Sequence, residues 1–192
     1  MTPWCGGEPG LAQTGAMSAD VRVSAPGTGD ADEFIAAVQA SRALQEPWVF
    51  PPDTPERFNA YLERAARDDQ ASYLIRHADC GELVGFATIS NIVRGVLRSG
   101  YLGYGAFASH AGRGLMTAGL SAVLDSAFTD VGLHRVEANI QPPNAPSLAL
   151  ARRIGFRQEG FSPRYLFIDG DWRDHERWAL LADEWTSPEA TQ

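Results

Sequence analysis

Near residue 112 the hydrophobic pattern of this chain changes period. Residues 100–108 (GYLGYGAFA) read as a strand rich in Tyr and Gly, whereas Leu120, Val123, Leu124 and Phe128 recur at the spacing of a helix over 115–131. The joint is Gly112-Arg113-Gly114. A strand that feeds a long amphipathic helix needs a sheet for that helix to lie on. Glycines at such a joint also let backbone approach a ligand and aim successive N–H groups at one point. Together with the positive end of the helix dipole, those donors favour a phosphate or pyrophosphate. Arg113 supplies a mobile positive charge. A tight turn that needs Gly for its own geometry explains the pair equally well.

The flanking text supplies the rest of the layers. Residues 21–24 alternate like a short strand, and Asp30 is placed to cap a helix through about Leu44 with Phe34, Ile35, Val38 and Leu44 on its apolar side. The prolines of EPWVFPP (46–52) exclude helix there. Thr54 then caps a second helix that has Pro55 at its first position. Strands are expected at 72–76, 83–92 and 136–140, and a helix at 145–154. Two strands at 156–161 and 165–168 precede a last one at 172–181, joined by Asp169-Gly170, a strong two-residue hairpin signal. The order is β-α-α-β-β-β-α-β-α-β-β. It implies an α/β (α+β) fold, with a mixed, mostly antiparallel sheet carrying helices on both faces.

Composition narrows the chemistry. With 192 residues, 44% of them hydrophobic, one domain with a sizeable core is expected over 18–185. Residues 1–17 and 186–192 read as tails, the first Gly- and Pro-rich and disordered, and Met17 is an alternative translation start. All 16 basic residues are Arg, so lysine Schiff-base and phosphate-loop lysine chemistries are excluded. A net charge of −8 argues against a direct nucleic-acid partner. Cys5 and Cys80 make neither a disulfide framework nor a metal-ligand spacing, so no metal is expected. No apolar run reaches the roughly 18 residues a bilayer requires, and no signal peptide opens the chain. Together these readings point to a cytoplasmic protein with no membrane partner.

Gly103-Tyr104-Gly105-Ala106-Phe107-Ala108 matches a dinucleotide pattern, but those glycines lie inside a strand rather than in the turn that opens a helix. YLGYGAFASHAGRGLM (101–116) instead resembles motif A of the GNAT acyltransferases. The likeness extends through LHRVEANIQPPNAPSLALARRIGFRQEGF and YLFIDGDWRDHERWAL, and more weakly to VGFATISNIVRG and the Glu46-Pro47-Trp48 turn. The family's pyrophosphate loop, Q/R-x-x-G-x-G/A, here reads Ala111-Gly112-Arg113-Gly114-Leu115-Met116. Ala111 and Met116 depart from it, and Met116 is familiar in the RimJ/RimL branch, which acetylates N-terminal amines of ribosomal proteins. The Asp169-Gly170-Asp171-Trp172-Arg173-Asp174-His175 block is similar to the RimJ side.

This resemblance implies a central sheet splayed at the cofactor site and acetyl-CoA as co-substrate. Gly112, Arg113, Gly114, Leu115, Met116 and Thr117 would form the pyrophosphate loop. Backbone N–H groups of Phe107 and Ala108, left unpaired by the splay, would hold pantetheine and polarise the thioester. Asn144 is a helix cap, a cofactor contact, or both. Ser147 occupies the place of the hydroxyl that protonates the departing thiolate.

The base is less evident. Asn139 stands where relatives carry a carboxylate and Leu166 where another branch carries a glutamate, so Asn139 is expected to hold ordered water. Glu137 reads as a surface charge, and His110, His134 and His175 are alternative bases. Glu46, Trp48, Tyr104 and Tyr165 are the expected acceptor contacts, with Tyr101 and Trp172 as further aromatics. The resulting expectation is an N-acetyltransferase, monomeric or homodimeric, acting on a protein N-terminal amine. A small-molecule amine acetyltransferase (antibiotic or polyamine) and a non-catalytic acyl-CoA-binding module are the alternatives.

Overall fold

The computed structural model describes residues 17–18 and 20–187. Residues 1–16 and 188–192 of the expected tails lie outside these, Cys5 among them. Among the described residues the strands are β1 (Met17–Ser18), β2 (Val21–Ser24), β3 (Ala71–His77), β4 (Leu83–Val93), β5 (Ser99–Ala106), β6 (Arg135–Ile140), β7 (Arg157–Ile168) and β8 (Asp171–Leu181). The helices are α1 (Ala31–Ala40), α2 (Arg42–Gln45), α3 (Pro55–Ala65), α4 (Leu115–Thr129) and α5 (Ala145–Ile154).

One sheet runs in the order β1-β2-β3-β4-β5-β6-β8-β7. Every pairing is antiparallel except β5 with β6, and that pairing lasts only from Ser99–Tyr101 opposite Arg135–Glu137. Beyond it β5 continues against β4 alone and β6 against β8 alone, so the sheet splits between residues 102–106 and 138–140. The splay that the resemblance implies is therefore present.

Helices cover both faces. Leu120, Val123 and Leu124 of α4 and Leu148 and Ile154 of α5 pack with Val136, Ala138 and Ile140 of β6. On the other face Phe34, Phe58 and Tyr61 of α1 and α3 meet Leu74, Phe86 and Phe107. Phe34 lies 5.2 Å from Phe58 and 5.5 Å from Phe107, ring centre to ring centre. Each such buried phenyl stabilises the fold by about 1.5–3 kcal/mol.

Three expectations change. The helix foreseen over 30–44 is two, broken at Ser41. The Ser41 N–H reaches back to the Val38 carbonyl, and its hydroxyl, buried, accepts the Ala108 N–H at 2.9 Å. The strands foreseen at 156–161 and 165–168 are one continuous β7. Its pairing with β8 is irregular between Ser162 and Leu166, where Pro163 is tolerated because β7 is the sheet edge. Arg164 there has φ 49°, and its N–H donates to the Asp174 carboxylate at 2.7 Å. Finally, β5 ends at Ala106 rather than at residue 108. Phe107 opens a short 3-10 turn, Ala108–His110.

Candidate active site

The split opens into a cavity of about 610 Å³. Residues 102–106 of β5, residues 139–141 around the end of β6, the loop from His110 to Thr117 and the start of α5 form its walls, and Gln45, Trp48, Leu166, Ile168 and His175 close the far side.

The loop end is made of backbone. Gly112 and Gly114 have φ of 77° and 82°, the left-handed region that side chains resist, and a Cβ on either would meet nothing within 4 Å. Conformation, not crowding, therefore requires glycine there. The N–H groups of residues 112–116 have no protein partner among the described residues, while the Thr117 N–H returns to the Gly114 carbonyl at 2.9 Å. Five free donors at the start of a 15-residue helix form a nest for an anion. Leu115 contributes only its backbone, since its side chain is core. Met116 lies against Gly85 on the cavity wall. Arg113 is exposed and does not line the cavity.

The N–H groups of Phe107 and Ala108 are not the free donors foreseen. Phe107 donates to the Val84 carbonyl at 2.9 Å and Ala108 to Ser41 Oγ, and the Phe107 ring is fully buried in the aromatic core. The Phe107 bond sets the alternation of the ladder, so residues 107 and 105 donate toward β4, whereas Tyr104 and Ala106 point their N–H groups into the split. The donors for a pantetheine arm are thus Tyr104 and Ala106. Gly103 and Gly105 lie within β5, as expected, and not in a turn that opens a helix.

Asn144 caps α5 by accepting the Ser147 N–H at 3.3 Å, and it also lines the cavity. Ser147, on the first turn of α5, faces the cavity half-buried. The Tyr104 hydroxyl donates to the Ser147 carbonyl at 3.3 Å, bridging the split, and burial pushes its pKa up. Tyr104 therefore braces α5 while also lining the cavity.

Side chains build the opposite end. Gln45 donates to the Ala106 carbonyl at 3.0 Å, leaving its Oε1 buried without a partner, and Asn139 Oδ1 is buried and unpartnered as well. Both residues line the cavity. Trp48 and Leu166 add apolar wall. Glu46 is exposed and borders a separate small recess of about 30 Å³ with Arg42, Asp53 and Arg57. Tyr165 is not in the wall but sets its ring edge-on to His175, 6.2 Å away.

The remaining candidate bases separate clearly. Glu137 is held by Arg135 at 2.8 Å, and His134 is exposed. His110 lies at the loop end with Nε2 2.9 Å from Glu82. His175 is buried and lines the same cavity as Gln45 and Asn139. Sequence reasoning passed over Gln45, whose only signal was its place before the Glu46-Pro47-Trp48 turn. It also saw no metal-ligand spacing, yet ligand atoms of Cys80, Glu82 and His110 lie within 4.8 Å of one another, because residues far apart in sequence meet at a turn.

An anion nest, a split that offers two inward N–H groups and a cavity in the size range of small-ligand sites suit an elongated ligand that carries phosphate at one end. Residues 21–157 match the acetyltransferase (GNAT) domain family. The chain is 34% identical over 126 residues to "Probable N-acetyltransferase YjcK" of Bacillus subtilis (strain 168), covering 66% of this chain and 70% of that protein. It is 42% identical over 105 residues to the ribosomal protein uS5-alanine N-acetyltransferase of Escherichia coli (strain K12), covering 55% of this chain and 54% of that one. Mycobacterium smegmatis RimJ, solved in complex with CoA-disulfide, superposes with a TM-score of 0.78 at 36% identity, covering 85% of this chain and 83% of that chain. The chain belongs to the GNAT acetyltransferase family. It is an N-acetyltransferase with acetyl-CoA as co-substrate.

Proposed function

We propose that the acceptor is the α-amine of a protein N terminus. The observation that carries this reading is the pair of buried, unpartnered oxygens, Gln45 Oε1 and Asn139 Oδ1, on the wall of the cavity. An unsatisfied buried acceptor destabilises a protein by about 1–3 kcal/mol, and a small turn of either amide toward the cavity would let an entering N–H group relieve it. No described carboxylate lines the cavity. A polyamine, which carries several charges, would call for such carboxylates, whereas one amine on an otherwise uncharged chain needs only neutral acceptors. The name of the Escherichia coli relative, a ribosomal protein uS5-alanine N-acetyltransferase, supports the same choice.

In this reading Gln45 and Asn139 orient the amine, Trp48 and Leu166 contact the first side chain, and the N–H groups of Tyr104 and Ala106 fix the pantetheine arm. Those of residues 112–116 hold the pyrophosphate, and Ser147 protonates the thiolate. The catalytic unit is residues 18–185, acting in the cytoplasm as a monomer or homodimer. Among the described residues no helix is long and apolar enough to cross a membrane.

The test follows thiol release from acetyl-CoA with short peptides bearing free N termini, the same peptides N-terminally blocked, and spermidine. Activity on free peptides alone is expected, and Asn139→Leu should raise their KM about 10-fold, the worth of one hydrogen bond to an amine. Activity on spermidine with none on peptides overturns the reading.

A further inference from the structure

His175 stands on β8 in a setting that its strand position alone does not explain. Its Nδ1 lies 3.0 Å from the Arg173 carbonyl, so Nδ1 carries the proton and the lone pair is on Nε2. Nε2 has no partner among the described residues, and unlike Gln45 Oε1 and Asn139 Oδ1 it keeps some access to solvent. The residue is only 2% exposed and lines the cavity, so the cavity is where Nε2 opens. Register fixes the geometry further. Asn139 pairs with Arg177, and alternation along β8 puts Arg177 and His175 on the same face, the face Asn139 occupies on β6. The imidazole and the amide thus look into one end of the cavity, opposite the braced α5.

We infer that Nε2 of His175 is the general base that receives the proton of the acceptor amine. The inference rests on the amine-acetylating reading above and deepens it. The neutral amine, hydrogen-bonded to Gln45 and Asn139, attacks the thioester carbonyl carbon, and a C–N bond forms. Nitrogen becomes cationic and strongly acidic at that moment, and one proton passes from it to Nε2. The C–S bond then breaks, the Ser147 hydroxyl gives its proton to the departing thiolate, and solvent restores both side chains by returning one proton to Ser147 and removing one from His175. The products are an amide and a thiol, with no net proton consumed. Burial pushes the imidazole below its ordinary pKa, which keeps it neutral and ready to accept at neutral pH. Asp174 on its own strand is the charge that acts on it; the Tyr165 ring of β7 stands edge-on to it, Arg177 shares its face of β8, and Tyr104, Arg153 and His110 line the same cavity.

The experiment measures kcat against pH from 5 to 9 for the wild type and His175→Asn, using whichever acceptor of the panel is most active. Asparagine retains a donor for the Arg173 carbonyl and lacks the base. The wild type should show an acid limb in kcat with its midpoint below the ordinary histidine value of about 6.5, since burial favours the neutral ring. His175→Asn should be roughly 10²–10³-fold slower at neutral pH, lack that acid limb, gain rate steadily toward pH 9, and bind acetyl-CoA within about threefold of the wild type. An acid limb that persists in the variant, or kcat within about threefold of the wild type, overturns the assignment. So does a loss that is uniform in pH and accompanied by weaker acetyl-CoA binding, the mark of a packing role. If His175→Asn fails to fold, His175→Gln is measured in its place, and a wild-type profile without an acid limb overturns the inference by itself. Failure of the peptide reading is distinguishable, since it appears as wild-type activity on spermidine only, with the His175 comparison then made on spermidine.

Discussion

The two ends of the cavity are built from different materials. At the loop end the working groups are backbone donors: residues 112–116, free because no residue precedes them in the helix ladder, and Tyr104 and Ala106, free because β6 turns away. At the acceptor end the working groups are side-chain atoms of Gln45, Asn139 and His175, contributed by α2, β6 and β8. Backbone donors tolerate most substitutions that keep the conformation, whereas side-chain acceptors are lost with their residue. One half of the site should therefore be sensitive to φ, and the other to chemical identity.

Ser147 tests that division hardest, because it belongs to the loop-side wall yet acts through its side chain. Ser147→Ala keeps its N–H bond to Asn144 and hence the α5 cap. Turnover should fall by about 10²–10⁴, the range for a lost general acid, with acetyl-CoA affinity nearly unchanged. Undiminished kcat on the best acceptor would remove Ser147 from the chemistry and leave that wall purely a matter of backbone.

The loop itself should answer to conformation. Gly114 has φ 82°, and a β-branched residue there is strained by about 1–3 kcal/mol. Gly114→Val should accordingly weaken acetyl-CoA binding about 10–100-fold by calorimetry. Arg113→Ala should change it less than about threefold, since that guanidinium is exposed and screened. If the Arg113 variant loses more than the Gly114 variant, charge rather than backbone geometry binds the pyrophosphate.

The same division separates what the sequence announces from what it conceals. Glycines at 112 and 114, a cap at Asn144 and the Asp169-Gly170 turn are local requirements, and each appears where its local signal lies. The turn even has φ of 50° and 77°, as a type I′ hairpin demands. The offset at Phe107 and Ala108 is of another kind. Which N–H groups are free depends on the Val84 carbonyl and the Ser41 hydroxyl, 23 and 67 positions away in sequence, and no pattern within β5 encodes them. Gln45 is hidden for the same reason, and His175, though legible as one of three alternative bases, is not singled out among them by any local signal. A buried Gln or a strand His is ordinary until the fold leaves one of its atoms without a partner.

The smallest effect concerns the strands that carry the acceptor wall. Glu159 of β7 pairs with Arg135 of β6 and Arg157 of its own strand, and Arg157 also holds Glu184 beyond β8. The hydrogen bond from Arg135, with help from Arg157, holds the Glu159 carboxyl down at about 2. A carboxyl depressed in the folded state contributes stability that is fully present above its ordinary value of 4.5 and is lost as pH falls through about 2. Glu159 is 30% exposed and Arg157 51%, so water and salt screen the pairs and the contribution should stay below about 1 kcal/mol. For a chain of this length that corresponds to roughly 2–4 °C in Tm at most. Glu159→Gln should therefore melt slightly lower than the wild type at pH 6, and the gap should narrow toward pH 2 and in high salt. A gap that is constant across pH would mean that shape rather than charge matters at this edge. No gap at any pH would mean that the side-chain clamp adds nothing to the β6–β8–β7 ladder, and the acceptor wall would then, like the loop end, be held in place by backbone alone.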